Sequence, residues 1–82
     1  MTSTTYDLGD VRVTLTHHTM FGLPVINEVH ERKGVEKHYW YVHAAQVRAT
    51  SERVGNAIRR CCADNKKELQ RKAYGLYKMM RA

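Results

Sequence analysis

The sequence predicts an α+β fold, a three-stranded antiparallel β-meander followed by one long C-terminal amphipathic helix (βββα). Three observations carry that expectation. Apolar and polar residues alternate over Val11-Arg12-Val13-Thr14-Leu15-Thr16, the period of a half-buried strand. Arg32-Lys33-Gly34 is a turn signal between two runs rich in β-branched and aromatic residues. From Ser51 to Arg81, the residues Val54, Ile58, Cys61, Leu69, Leu76 and Met80 recur at steps of three and four or sums of them, which puts them on one helical stripe.

Taken in order, residues 1–5 are polar and expected to fray. The sheet region covers 6–48. Its first strand starts near Tyr6 and turns Val11, Val13 and Leu15 inward, with a bend at Gly9 between Asp7 and Asp10. His17 to Gly22 reads as a connection, punctuated by Gly22 and the single proline, Pro24. The second strand runs from Leu23 to Glu31. Pro24 belongs near its start, because proline has no amide proton to give a ladder.

Gly34, at the third loop position, fits a three-residue hairpin closing with a bulge. Glu31 then faces Val35, Glu28 faces His38, Ile26 faces Trp40 and Val25 faces Tyr41. The third strand, Val35 to about Ala44, places Trp40 with Ile26 and Val42 on one face, and Tyr39 and Tyr41 with Val25 and Val29 on the other. The helix is expected to cover the Trp40 side. Ala44 to Arg48 suits either a strand extension or a helical turn.

Thr50 and Ser51 are both N-cap residues by type, and Glu52 adds negative charge to the first turn. The helix is expected over 51–81. Asn65 is a polar interruption, and a break near Asp64-Asn65 would give two helices. The apolar phase continues across it, which favours one. An unbroken helix of this length spans about 45 Å, against about 25–30 Å for a compact domain of this size. Leu69, Leu76 and Met80 should therefore overhang and meet a second copy, making a homodimer.

With 82 residues the chain suits a single small domain, 1–82. Its net charge of +6 is unevenly spread. Residues 1–50 hold five basic and five acidic side chains, and residues 51–82 hold nine basic and three acidic ones. Arg53, Arg60, Lys67, Arg71 and Lys78 fall opposite the apolar stripe, with Arg59 and Lys66 on one flank. Cations at helical spacing can contact successive phosphates and release counterions. Tyr39 and Tyr41, on an open sheet face with Lys37, are of the type that stacks unpaired bases.

These features point to a small non-enzymatic binding protein whose basic helix contacts nucleic acid. The alternative is a protein-interaction module or inhibitor, binding a larger protein through the exposed sheet face and the helix end, with the basic face drawn to an acidic surface. Neutral sheet, basic helix and small size suit an accessory protein of a phage or a bacterium. Five histidines are present, but the two adjacent cysteines, Cys61 and Cys62, fit no zinc-ligand spacing, so no metal or cofactor is expected. No phosphate loop or nucleophile motif suggests catalysis. The N-terminus lacks a signal-peptide pattern, and the longest apolar run is too short to span a membrane. Adjacent cysteines resist pairing with each other, so reduced thiols and a cytoplasmic location are expected.

Overall fold

In a computed structural model describing residues 2–81, five strands form one antiparallel sheet in sequence order: β1 (Thr2–Asp7), β2 (Arg12–Met20), β3 (Leu23–Arg32), β4 (Val35–Val42) and β5 (Cys62–Ala63). A 3-10 turn (Ala44–Gln46) leads to α1 (Glu52–Arg59), and α2 (Lys66–Arg81) follows β5. The α+β class and the C-terminal helix agree with the sequence reading, whereas the strand number, the register and the helix continuity do not.

The first correction is at the N-terminus. Gly9, at φ 89°, helps to reverse the chain rather than bend it. The Asp7 carboxylate accepts the Gly9 amide at 3.1 Å, and the Leu8 amide donates to the Val11 carbonyl at 2.9 Å. Thr2 to Asp7 then pairs with His17 to Arg12 as an edge strand. Hydroxyl pairs across the ladder, Ser3 with Thr16 (3.1 Å) and Thr5 with Thr14 (3.2 Å), hold polar residues that have little apolar surface to bury. Of the segment expected to fray, Thr2–Thr5 is strand, and Met1 lies outside the described residues.

The second correction concerns the turns. β2 continues through His17 and His18 to Met20 and reverses over Phe21-Gly22, with φ of 51° and 76°. Lys33-Gly34 makes a turn of the same kind, with φ of 52° and 79°. Positive φ at both central residues marks the two-residue type I′ hairpin, which matches the twist of the strands. The loop is one residue shorter than expected, so Arg32 pairs with Val35, Glu28 with Tyr39, Ile26 with Tyr41 and Val25 with Val42. A one-residue slip exchanges faces. Trp40 and Val42 share their face with Val25 and Asn27, while Tyr39 and Tyr41 share theirs with Ile26 and Glu28.

The third correction is the helix. Ser51 caps α1 by accepting the Val54 amide at 3.2 Å. After Arg59 the chain leaves the helix, and Cys62-Ala63 pairs with Tyr41 and Trp40. Asn65, read as an interruption, is a helix start: its Oδ1 accepts the Glu68 amide at 2.8 Å. Two caps and a short ladder satisfy backbone groups that a continuous helix would have satisfied internally.

Met20, Leu23, Val25, Trp40 and Val42 pack beneath Val54, Ile58, Cys61, Leu69, Ala73 and Leu76 in one core. Trp40 is thus on the covered face, as expected. Leu69 (0% exposed) and Leu76 (4%) belong to this core, and Met80 packs half-buried against it. Leu69 and Leu76 therefore have no free surface to offer a second copy. The 45 Å length of the molecule instead comes with a sheet that projects beyond its helices. Buried positions on β3 end at Asn27, whose side-chain amide donates to the Tyr39 carbonyl across the ladder at 3.3 Å. No helix among the described residues is long and apolar enough to cross a membrane.

Candidate nucleic-acid interface

The helix α2 lies against β2, β4 and β5 with Leu69, Ala73 and Leu76 inward. At 100° per residue, Lys67, Arg71, Tyr74 and Lys78 fall on the opposite side, and all four are exposed. Arg81 continues this face. Six basic side chains lie on α2 against a single acid, Glu68. Glu68 is on the helix flank, 3.6 Å from Lys72, and among the described residues it makes no ion pair with the outward cations.

An aromatic cluster adjoins the C-terminal half of that face. Phe21, from the β2–β3 turn, has its ring centroid 5.2 Å from Tyr74 and 5.8 Å from Tyr77. Lys78 Nζ sits 5.5 Å from the Tyr74 ring centre, and the Arg81 guanidinium 5.4 Å from that of Tyr77. These are cation–π distances. The turn, the helix end and two cations thus form one surface of rings and positive charge.

The residues expected from sequence divide among three places. Lys67, Arg71 and Lys78 stand together on α2. Arg53, Arg59 and Arg60 belong to α1 and its C-terminus, and the break at 60–65 removes the common helix that the spacing from Arg60 to Lys67 implied. Arg59 donates to Asn56 Oδ1. Lys66 is near enough to His18 for its charge to help hold that imidazole below its ordinary pKa, after burial as the larger cause.

Tyr39 and Tyr41 lie on the sheet face opposite the core, and a cavity of about 430 Å³ at the β4–β5 edge brings both to Glu68 and Lys72 on the flank of α2, but not to Lys67, Arg71 or Lys78. Tyr41 is half-buried and donates to Glu28 Oε1 at 2.8 Å. Burial, with the Glu28 carboxylate second, pushes its phenol up to about 12. The other Glu28 oxygen pairs with His30 Nε2, and this bond is the main cause of a carboxyl pKa below the usual range. Tyr39 is more open and sits edge-on to His30 at 5.1 Å. Farther out, His30, Arg32, Lys33, Val35 and Lys37 line a groove with Tyr39.

Phe21, Tyr74, Tyr77 and Arg81 went unseen in the sequence. The pairs Tyr74/Lys78 and Tyr77/Arg81 are four apart, the spacing at which helical side chains meet, and that signal was legible. The approach of Phe21 was not, because it depends on how the β2–β3 turn docks against a helix 53 residues on. Both cysteines are free, and burial raises the pKa of the Cys61 thiol. Among the described residues no three His, Cys, Asp or Glu side chains converge as a metal set would. No family model matches the chain, and neither a curated protein nor a solved structure shows significant similarity to it.

Proposed function

We propose that this chain is a nucleic-acid-binding protein whose phosphate contacts come from the outward face of α2. The observation that carries the reading is the row Lys67, Arg71, Lys78 and Arg81, exposed on one side of a helix and in none of the ion pairs among the described residues. The nine-to-three excess of bases over acids in residues 51–82 gives the same end of the molecule the field that attracts a polyanion. The reading assigns no catalytic step. Glu28, His30 and Tyr41 are engaged with one another.

The test is affinity for DNA and RNA across a salt series. Four phosphate contacts correspond to a slope of log affinity against log salt of about −3 to −4. The double substitution Lys67→Glu/Arg71→Glu should weaken binding by at least tenfold and flatten the slope by about two. Binding that ignores salt, or that survives the double substitution unchanged, removes the reading.

A second reading keeps the protein-interaction alternative, on the open face of the sheet. Tyr6, Leu8, Val35 and Tyr39 are the exposed large apolar residues on or beside that face, near the hairpin tips, and tyrosine suits a protein contact. A capture experiment with nuclease treatment separates the readings. A partner that persists after nuclease and is lost in Val35→Asp favours the sheet face, and mass in solution tells whether that partner is a second copy.

A further inference from the structure

We infer that the ligand of α2 is single-stranded, with an unpaired base stacked on the Phe21–Tyr74–Tyr77 cluster while Lys67, Arg71, Lys78 and Arg81 hold its phosphates. The inference deepens the nucleic-acid reading and rests on it.

Phe21 is the starting point. It occupies the first central position of a type I′ turn at φ 51°, where asparagine, aspartate and glycine are at ease and a bulky side chain is strained. Burial does not account for it, since the residue is 40% exposed. Turn chemistry and core packing therefore both argue against phenylalanine here, yet its ring is held against two tyrosines. An observed backbone outlier of this kind points toward function.

Tyr74 supplies the second observation. It points away from the core of α2, in line with Lys67, Arg71 and Lys78, and is 48% exposed. Aromatic faces stack on bases of any sequence, and cations beside them track the backbone. A duplex hides its base faces within the stack and presents only groove edges. A helix that needed only duplex phosphates would have no use for three rings gathered at the end of its basic row. The competing explanation is a small packing cluster tying the end of α2 to the β2–β3 turn.

The two explanations diverge on one substitution. Phe21→Asn installs the residue the turn prefers. If the ring serves binding, the thermal midpoint stays level or rises, while affinity for fluorescein-labelled oligothymidylate and oligouridylate falls about tenfold, within the range for loss of one stacking partner. Affinity for a labelled blunt-ended linear duplex, which has no unpaired base, should not change. Tyr74→Ser, at an exposed helix position, should give the same selective loss, and it decides the question should Phe21→Asn lower the midpoint. Wild-type protein should also prefer the single strands over the duplex.

Equal or tighter duplex binding by the wild type, or unchanged single-strand affinity in Tyr74→Ser, overturns the stacking inference and leaves the basic face of α2 standing. Absence of salt-dependent binding to all three probes removes the inference and the underlying reading together.

Discussion

The part of the sheet beneath the helices and the part beyond them are made from the same strands, yet they are held by different forces. On β3, Leu23, Val25, Ile26 and Asn27 are buried and Glu28 to Arg32 are not. On β4 the change falls between Tyr39 and Trp40. The cause is reach. The sixteen residues of α2 span about 24 Å, while the ten residues of β3 span about 33 Å, and the 3-10 turn and α1 sit at the same end. Near the helices, burial supplies most of the stability. Toward the far hairpin tips the ladders, the tight turns and polar pairs such as Thr5–Thr14 are what remain, and Val35 stands 64% exposed. Stability in this chain is concentrated at one end.

Leu69→Ala should give the largest effect, about 2–5 kcal/mol by urea unfolding, because a fully buried leucine leaves a cavity in the core. Val35→Thr at the tip should stay within about 0.5 kcal/mol of wild type. Comparable losses at the two sites would end the distinction between the halves. Next, Asn65→Ala should cost about 1 kcal/mol through the lost cap of α2. If it is silent, the helix break does not depend on that hydrogen bond.

Smaller still, Gly75→Ala should raise stability by about 0.5–1 kcal/mol. A β-carbon there meets nothing within 4 Å, and helix interiors favour alanine. Gly55→Ala should gain less, since its β-carbon would come within 3.4 Å of Ala49. A larger gain at Gly55 than at Gly75 would contradict this account of α1 packing.

The last effect is a pH dependence. His18 packs on Trp40 at 5.2 Å, and burial, then Lys66 and His17, lowers its pKa from 6.5. The unfolded chain therefore binds this proton more readily, and stability falls as pH drops below about 6.5. Glu28, whose carboxyl is depressed from 4.5 chiefly by His30, contributes stability above that value and loses it as pH falls through the lower folded pKa. Urea midpoints against pH should show the His18 step first on acidification, and His18→Gln should flatten that step alone.

What the sequence revealed follows from how local each cause is. Alternation located β2 but not its inward face, since Val13 and Leu15 stand in register with His30 and Glu28 on the open side while His18 and Met20 meet the core, and the aromatic run exposed β4. Ser51 was legible as a cap by residue type. β1 was hidden because an edge strand with two open faces needs no apolar period, and Thr2-Ser3-Thr4-Thr5 is stabilised by its neighbour instead. The register was missed by one residue because Arg32-Lys33-Gly34 suits a two-residue loop as well as a three-residue one, once Lys33 takes positive φ. Continuity of the apolar phase across Asn65 suggested one helix, but α1 and α2 face a common core. That core also takes in Cys61, so the stripe persists through the break. In the candidate site, Lys67, Arg71 and Lys78 could be read from helical spacing, whereas Phe21 enters only through tertiary packing.

The two-residue strand β5 has a consequence for how the chain reaches its native state. The β1–β2, β2–β3 and β3–β4 ladders each close through a turn of two to four residues. β5 instead joins Tyr41 to Cys62 and Trp40 to Ala63, closing a loop that contains α1. Hairpins with such short loops form in about 1–10 μs, and distant pairings wait on loop closure. The slow event on the folding pathway is then expected to be the arrival of α1, β5 and α2 on a meander already paired. Stopped-flow chevrons test that order: destabilising changes at Ile58 and Leu69 should slow refolding, and those at the β3–β4 tip should leave its rate nearly unaltered.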